Sequence, residues 1–379
     1  MCPQTTGSTP KPMLRKFAVL ALFSLAVAGG AAAGHRDEDV SVRIMTQNMD
    51  DGTDQTYIIA ALTGQVPDFS VADAVDLTYA ELQASNFKER ARLLAANIAE
   101  QKPDLVALQE ATLWRFGPTP RTATRVLFDQ IRLLVAALEK LDVPYDVVAV
   151  NHLTDIALPG NQIGGALRFT DRNAVLVRSD LCRPRLHVSN VHSRTFDAEF
   201  PFAGLTVTAG WISADVHKGN KRFRFVTTHL QSPVQGVPEA TDVQVAQAQE
   251  LIDELRKTRM PVVICGDFNS DALHGGFVDD TPTVALIEAA GYEETWPVTH
   301  GSGDPGFTWP LYLEDQFPPL PFFAFSAPFE RIDLFFSKDM AVVDSQHVTP
   351  PLTSPDPDLS MPPRASDHSG VMAVFSFLP

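Results

Sequence analysis

Cysteine is scarce in this chain, with three in 379 residues at positions 2, 182 and 265. That is too few for the disulfide framework that holds many small extracellular domains together. Cys265 sits inside an apolar segment and reads as a small core residue, while a bridge from it to Cys182 is left open by the sequence. Positive charge is also short, since 30 Lys and Arg face 46 Asp and Glu, a formal net charge of −16. Such a chain gets no help from its overall field in approaching nucleic acid or anionic lipid, so a bound cation or a local basic patch has to supply that attraction. No basic stripe with interleaved aromatics appears. Long apolar runs are missing too: the segment from Phe17 to Val27 falls short of the roughly 20 residues needed to span a bilayer. After residue 40 there is no internal linker and no repeat.

What the amino terminus does contain is Lys11, Arg15 and Lys16, then that apolar run, then the small residues Ala31, Ala32 and Ala33. This is the order of a secretory signal peptide. The reading is a leader over residues 1–33, a short linker over 34–40, and one domain over 41–379 in a secreted or periplasmic protein. Met13 offers an alternative start with the same basic and then apolar order. Loss of the leader removes three positive charges and no acidic residue, so the mature chain carries −16 − 3 = −19.

A hydrophobic fraction of 45% over this length is enough to bury a sizeable core. Helical periodicity links Leu82, Phe87, Ala91, Leu94 and Ile98, then Leu127, Ile131, Leu134, Leu138 and Leu141, then Ala248, Leu251, Ile252 and Leu255. Short apolar or alternating runs between them read as strands: 42–46, 105–108, 145–150, 174–177, 223–228, 262–265, 332–336 and 371–377. Interspersed helices and strands from end to end imply a single α/β domain. Two Pro-rich stretches interrupt the rhythm. The one from Trp309 to Phe329 carries several aromatics and can be neither a regular helix nor a central strand; the other, from Thr349 to Pro363, reads as an extended surface loop.

Polar residues of catalytic type sit at the carboxyl ends of the apolar runs. Val262-Val263-Ile264 leads into Gly266-Asp267-Phe268-Asn269, and strand ends are where α/β folds place their chemistry. Alone, Asp and Asn there could be turn formers bonding their own backbone. The pattern repeats, however, at Thr46-Gln47-Asn48, Leu108-Gln109-Glu110, Thr228-His229-Leu230, Arg331-Ile332-Asp333 and Ser366-Asp367-His368. A few oxygen donors suffice to place a magnesium-like cation. Such a cation neutralises a phosphate while a His or Asp prepares a water for attack.

These six motifs, in this order between about Arg43 and Phe377, resemble the endonuclease/exonuclease/phosphatase superfamily. The resemblance implies two packed mixed β-sheets flanked by helices, a deoxyribonuclease I-like four-layer sandwich with its site where the strand ends of both sheets converge. It also implies a divalent-metal-dependent phosphoesterase using Mg2+, with Mn2+ or Ca2+ as alternatives. Carried over motif by motif, Glu110, Asn48, Asp50 and Asp367 would hold the metal, although Asp50 and Asp51 flank Gly52 and an Asx turn competes with the ligand reading at Asp50. Asp267 would orient or deprotonate the water, Asn269 would hold a phosphate oxygen, and His229 would stabilise the phosphate or protonate the leaving oxygen. His368, paired with Asp333, would be a general base or a phosphate clamp. Arg172 and Asn173 lie about where relatives place a phosphate contact.

The substrate is a phosphate ester: a lipid headgroup, a nucleotide or a nucleic acid. The leading expectation is an extracellular phosphodiesterase. The alternatives are a secreted nuclease, a sphingomyelinase- or phospholipase C-like enzyme, an inositol phosphate phosphatase, or, least supported, a non-catalytic binding protein that keeps the fold. The 309–329 segment would cover the core or touch a membrane surface transiently, and no obligate protein partner is evident.

Overall fold

The computed structural model describes residues 41–379 apart from 54, 65, 181–185, 235, 274–280, 312–328, 349–364 and 379. The expected leader and linker, Cys182 and most of both Pro-rich segments lie outside the described residues. From residue 41 onward the described chain belongs to one compact unit.

The two most uniformly apolar segments become inner strands, because a strand covered on both faces has no polar side to present. Leu105–Gln109 and Val262–Asp267 are buried at every position. Leu105–Gln109 runs parallel to Ser41–Asn48 in an eight-stranded sheet. That sheet is ordered Met340–His347, Val371–Phe377, Ser41–Asn48, Leu105–Gln109, Ala166–Arg178, Leu113–Gly117, Arg125–Asp129, with Tyr145–Pro159 also paired to Ala166–Arg178. Val262–Asp267 runs parallel to Lys221–His229 in a six-stranded sheet ordered Glu293–Glu294, Asp333–Lys338, Val262–Asp267, Lys221–His229, Gly210–Lys218, Leu186–Thr195. A separate hairpin pairs Phe200–Phe202 with Leu205–Val207.

The sheets face one another through Ile44, Leu105, Val175 and Phe375 on one side and Ile212, Phe225, Val263 and Phe335 on the other. Each fully buried aromatic there contributes on the order of 2 to 3 kcal/mol from area removed from water. Helices Phe87–Gln101 and Gln130–Lys140 cover the outer face of the first sheet with Leu94, Ile98, Leu134 and Leu138. Pro238–Leu255 and Thr283–Ala289 cover the second with Leu251, Ile252, Val284 and Ile287. The result is helix, sheet, sheet, helix, the expected four-layer sandwich.

Three local expectations are corrected. The periodicity from Leu82 to Ile98 belongs to two helices, Val71–Ala84 and Phe87–Gln101. They break at Asn86, whose φ of 49° is left-handed, a conformation Asn tolerates better than most residues. Leu127 lies in the strand Arg125–Asp129, and the Asp129 carboxylate accepts from the Arg132 N–H to cap the helix that follows. The strands Leu186–Thr195 and Gly210–Lys218 went unread. The first is largely exposed and polar, so it carries little apolar signal. Cys265 is a buried free thiol, and among the described residues no helix is long and apolar enough to cross a membrane.

Candidate active site

Register brings the polar strand ends together. In the second sheet His229 lies opposite Asp267 and Asp267 opposite Asp333, so the three form one row across adjacent strands. In the first sheet Asn48 lies opposite Gln109, which puts Glu110 beside the end of the Ser41–Asn48 strand. The Asn48 Nδ2 donates to Glu110 Oε1 and to Asp267 Oδ2, both at 2.9 Å, and so ties the two sheets at the site.

Local sequence makes this geometry. Gly266 has φ +147°, and a Cβ there would meet the Thr228 carbonyl oxygen at 1.9 Å, so only glycine lets this strand lie against its neighbour. Phe268 is fully buried and packs edge-on to Phe336 at 5.1 Å. Asp267 is held by the Asn269 N–H, which donates to its Oδ1 at 2.8 Å. Asp50, Glu110 and Asn269 all have φ between 48° and 56°, a region that non-glycine residues occupy at a cost of about 1 kcal/mol or more and that concentrates at functional sites. The last motif is docked from the other side. Ser366 Oγ donates to the Asn48 carbonyl at 2.7 Å and accepts from the His368 N–H, while Gln47 Nε2 donates to the His368 carbonyl.

Both imidazoles sit among carboxylates. His368 Nδ1 is 2.8 Å from Asp333 Oδ2 and 3.9 Å from Asp267 Oδ2, and its Nε2 is 3.9 Å from Asp367 Oδ1. Burial disfavours its charged form, but Asp333 and Asp367 outweigh that and hold it well above the usual histidine range. His229 Nε2 is 3.0 Å from Asn269 Nδ2 and 3.7 Å from Asp267 Oδ2. Burial is likewise overcome there by Asp267, Asp171 and Glu110, which raise its pKa. Asn269 Nδ2 also donates to the Leu230 carbonyl at 3.0 Å.

The donor set fits a hard divalent cation. Glu110, His229 and Asp267 offer ligand atoms within 4.8 Å of one another, as do Asp50, Asp51 and Glu110, and also Asp267, Asp333 and His368. Burial, with the like charge of Asp367 nearby, pushes Glu110 up to about 7, and burial pushes Asp367 up to about 6. Crowded buried carboxylates held above their usual range are what a cation relieves.

Not every expected residue faces this cluster in a free state. Asp50 forms the Asx turn: its Oδ1 accepts from the Gly52 N–H at 2.7 Å, and its Oδ2 pairs with Arg90 at 3.0 Å. Asn48 turns its amide nitrogen toward the carboxylates and its Oδ1 toward the Asp50 N–H at 2.8 Å. Arg172 is buried and donates to the carbonyls of Ala111 and Thr112 and to Asp129 Oδ1, so its guanidinium braces the segment after Glu110 rather than facing a substrate. Asn173 Nδ2 donates to the Gly210 carbonyl.

Three residues were missed by sequence reasoning. Asp171 lines the site cavity, its Oδ1 is buried without a hydrogen-bond partner among the described residues, and burial raises its pKa despite the neighbouring His229. Period-two alternation was the available signal, since it turns residue 171 to the face opposite Arg172. Asp51, raised by burial and then by Glu110 and Asp50, donates its N–H to Glu110 Oε2 at 2.9 Å. Trp309 Nε1 donates to Asp367 Oδ2 at 3.0 Å.

The cluster opens into a cavity of about 580 Å³ that Glu110, Asp171, His229, Asp267, Asn269 and His368 line at one end. This arrangement can bind a cation, hold an oxyanion and move protons at two imidazole–carboxylate pairs.

Comparison with known proteins agrees with this geometry. Residues 80–368 match the Endonuclease/Exonuclease/phosphatase family. No curated protein sequence matches the chain. Among solved structures, an endonuclease/exonuclease/phosphatase from Beutenbergia cavernae superposes with a TM-score of 0.54 at 22% identity, covering 89% of this chain and 72% of that one. A family protein from Leptotrichia buccalis gives 0.54 at 16% identity, covering 89% and 100%. D. rerio TDP2 complexed with a single-strand DNA product gives 0.51 at 14% identity, covering 89% and 100%. At these identities the likeness is one of fold.

Proposed function

From the chain's membership of the endonuclease/exonuclease/phosphatase family, whose members are metal-dependent phosphoesterases, we propose that it is a secreted or periplasmic phosphodiesterase. The observation that carries the reading is the convergence of Glu110, Asp267, His229 and the His368–Asp333 pair at one end of a single cavity.

Glu110 would hold a divalent cation, with Asp367 and Asp51 adding negative charge beside it, and the cation would supply charge neutralisation for a bound phosphate. Asn48 is the strut between Glu110 and Asp267. Asp267 orients a water in line with phosphorus and accepts its proton, its other oxygen being fixed by the Asn269 N–H. Asn269 holds a non-bridging oxygen, and His229, whose protonation Asp267 and Asp171 favour, gives a proton to the leaving oxygen as its contact with the Asn269 amide gives way to the substrate. His368, charged through Asp333, clamps the second non-bridging oxygen as negative charge builds on it.

The test is hydrolysis of bis(p-nitrophenyl) phosphate with and without Mg2+ or Mn2+. Turnover should require the metal and fall at least ~1000-fold in Asp267→Ala and His368→Ala. Metal-independent or absent turnover would sink the reading. A second reading, a secreted nuclease, draws on the D. rerio TDP2 structure with its DNA product. Against it stands the acidic composition of the chain.

A further inference from the structure

We infer that the site's substrate carries a long aliphatic chain, bound in the apolar arm of the cavity; this rests on the phosphodiesterase reading and names its substrate class. Away from the carboxylates, the same cavity is walled by Ile58, Ile59 and Leu62 of helix Thr56–Thr63 and by Ile156, Leu158 and Leu167 of the two long strands. The Phe200–Phe202 and Leu205–Val207 hairpin closes the remaining side with Phe202, Leu205 and Val207. Ile59, Leu62, Phe202, Leu205 and Val207 line the space and are only partly buried, so part of their apolar surface is open to it, while Leu158 lines it from the edge of a buried cluster around Trp114 and Leu167. Concave, uncovered apolar surface continuous with a reactive site marks a place where ligand carbon is taken out of water.

Two features select an aliphatic chain over a nucleic acid. Among the described residues no Lys or Arg lines the cavity, whereas eight carboxylates do: Asp50, Asp51, Glu110, Asp171, Asp267, Asp271, Glu330 and Asp367. A polyanion needs cations along its track, and this wall repels every phosphate but the one at the metal site. Most aromatic rings of the wall also pack on one another. Phe200 stacks on Phe202 at 5.6 Å and Trp114 packs on Phe169 at 4.9 Å, while Trp309 is held beside the catalytic cluster by its bond to Asp367, so the apolar end offers a base few free ring faces. What remains exposed to a ligand is mainly Ile, Leu and Val, the lining that suits a flexible hydrocarbon.

The experiment uses n-alkyl phosphates from methyl to dodecyl, kept below their aggregation concentrations, as inhibitors of bis(p-nitrophenyl) phosphate turnover in saturating Mg2+. The inhibition constant should fall roughly three- to fourfold per methylene, the equivalent of ~0.8 kcal/mol of buried CH₂, and level off once the arm is filled. In Leu205→Asn, and separately in Leu158→Gln, the methyl-to-octyl ratio of inhibition constants should shrink at least tenfold, with thermal melts confirming that each variant is folded. An inhibition constant that changes less than threefold from methyl to octyl, or a single-stranded oligonucleotide that competes better than dodecyl phosphate, overturns the inference while leaving a working phosphodiesterase. Absence of any metal-dependent turnover removes the enzyme reading and this inference together.

Discussion

Asp171 and Arg172 are neighbours in sequence with opposite employment. Arg172 is fully occupied by two backbone carbonyls and Asp129, whereas Asp171 lies in the site cavity with one oxygen unpartnered among the described residues. Arg172→Met should therefore lower stability by about 3 kcal/mol in chemical denaturation, because it strands Asp129 and two carbonyls. Asp171→Asn should leave the denaturation midpoint in place or raise it, because it removes a buried charge, yet cut turnover by roughly 10- to 100-fold through loss of support for the His229 proton. Equal effects of the two changes on stability would contradict the assignment. The family resemblance named the arginine because it lies about where relatives place a phosphate contact. Only the strand's alternation, read against which face is covered, separates the two. Asp267 and Glu110 were legible for the contrary reason: each closes an apolar run, so its position at a strand end was readable without knowing the sheet, whereas His368 precedes its strand, Val371–Phe377, and was legible through its motif Ser366-Asp367-His368.

Among the elements, the inner strands announced themselves because burial on both faces leaves a continuous apolar run, as in Leu105–Gln109 and Val262–Asp267. The outer strands did not, since Leu186–Thr195 presents Ser, Asn, His and Arg to solvent. The hairpin Phe200–Phe202 with Leu205–Val207 is too short to show alternation, yet it closes the cavity arm. The segment after Ser41–Asn48 is fixed by helix Phe87–Gln101, from which Arg90 reaches the Met49 and Asp50 carbonyls and the Asp50 carboxylate. That clamp sets the turn preceding Asp51 and hence the N–H that Asp51 gives to Glu110. Arg90→Met should cost about 3 to 4 kcal/mol and weaken Mg2+ affinity together, measured by urea denaturation and by calorimetric titration. A stability loss with unchanged metal affinity would show that the clamp does not reach the site.

For the molecule as a whole, the acidic cluster is a cost that a cation offsets. Mg2+ or Mn2+ should raise the thermal midpoint by a few degrees at concentrations about 100 times the dissociation constant, equivalent to about 2.7 kcal/mol, and Glu110→Gln should abolish the increment. An independent effect, of pH, comes from Glu294, which burial pushes up to about 7 in spite of its 3.0 Å pair with Arg331. Its folded pKa lies above its unfolded one, so the native state binds the extra proton and stability falls as pH rises from about 4.5 to 7. The midpoint of the parent protein should drop relative to Glu294→Gln across that window, by no more than about 3 kcal/mol; parallel curves would show that Arg331 keeps the carboxylate charged throughout. The Asn48 strut carries one more consequence. Each sheet is complete on its own, but the reaction needs Glu110 from one and Asp267 from the other, 2.9 Å either side of a single amide. Catalysis is thereby made a vernier of how the two halves of the sandwich are registered. Dilute urea, which loosens the shared interior before the fold is lost, should silence the enzyme well ahead of any change in its circular dichroism.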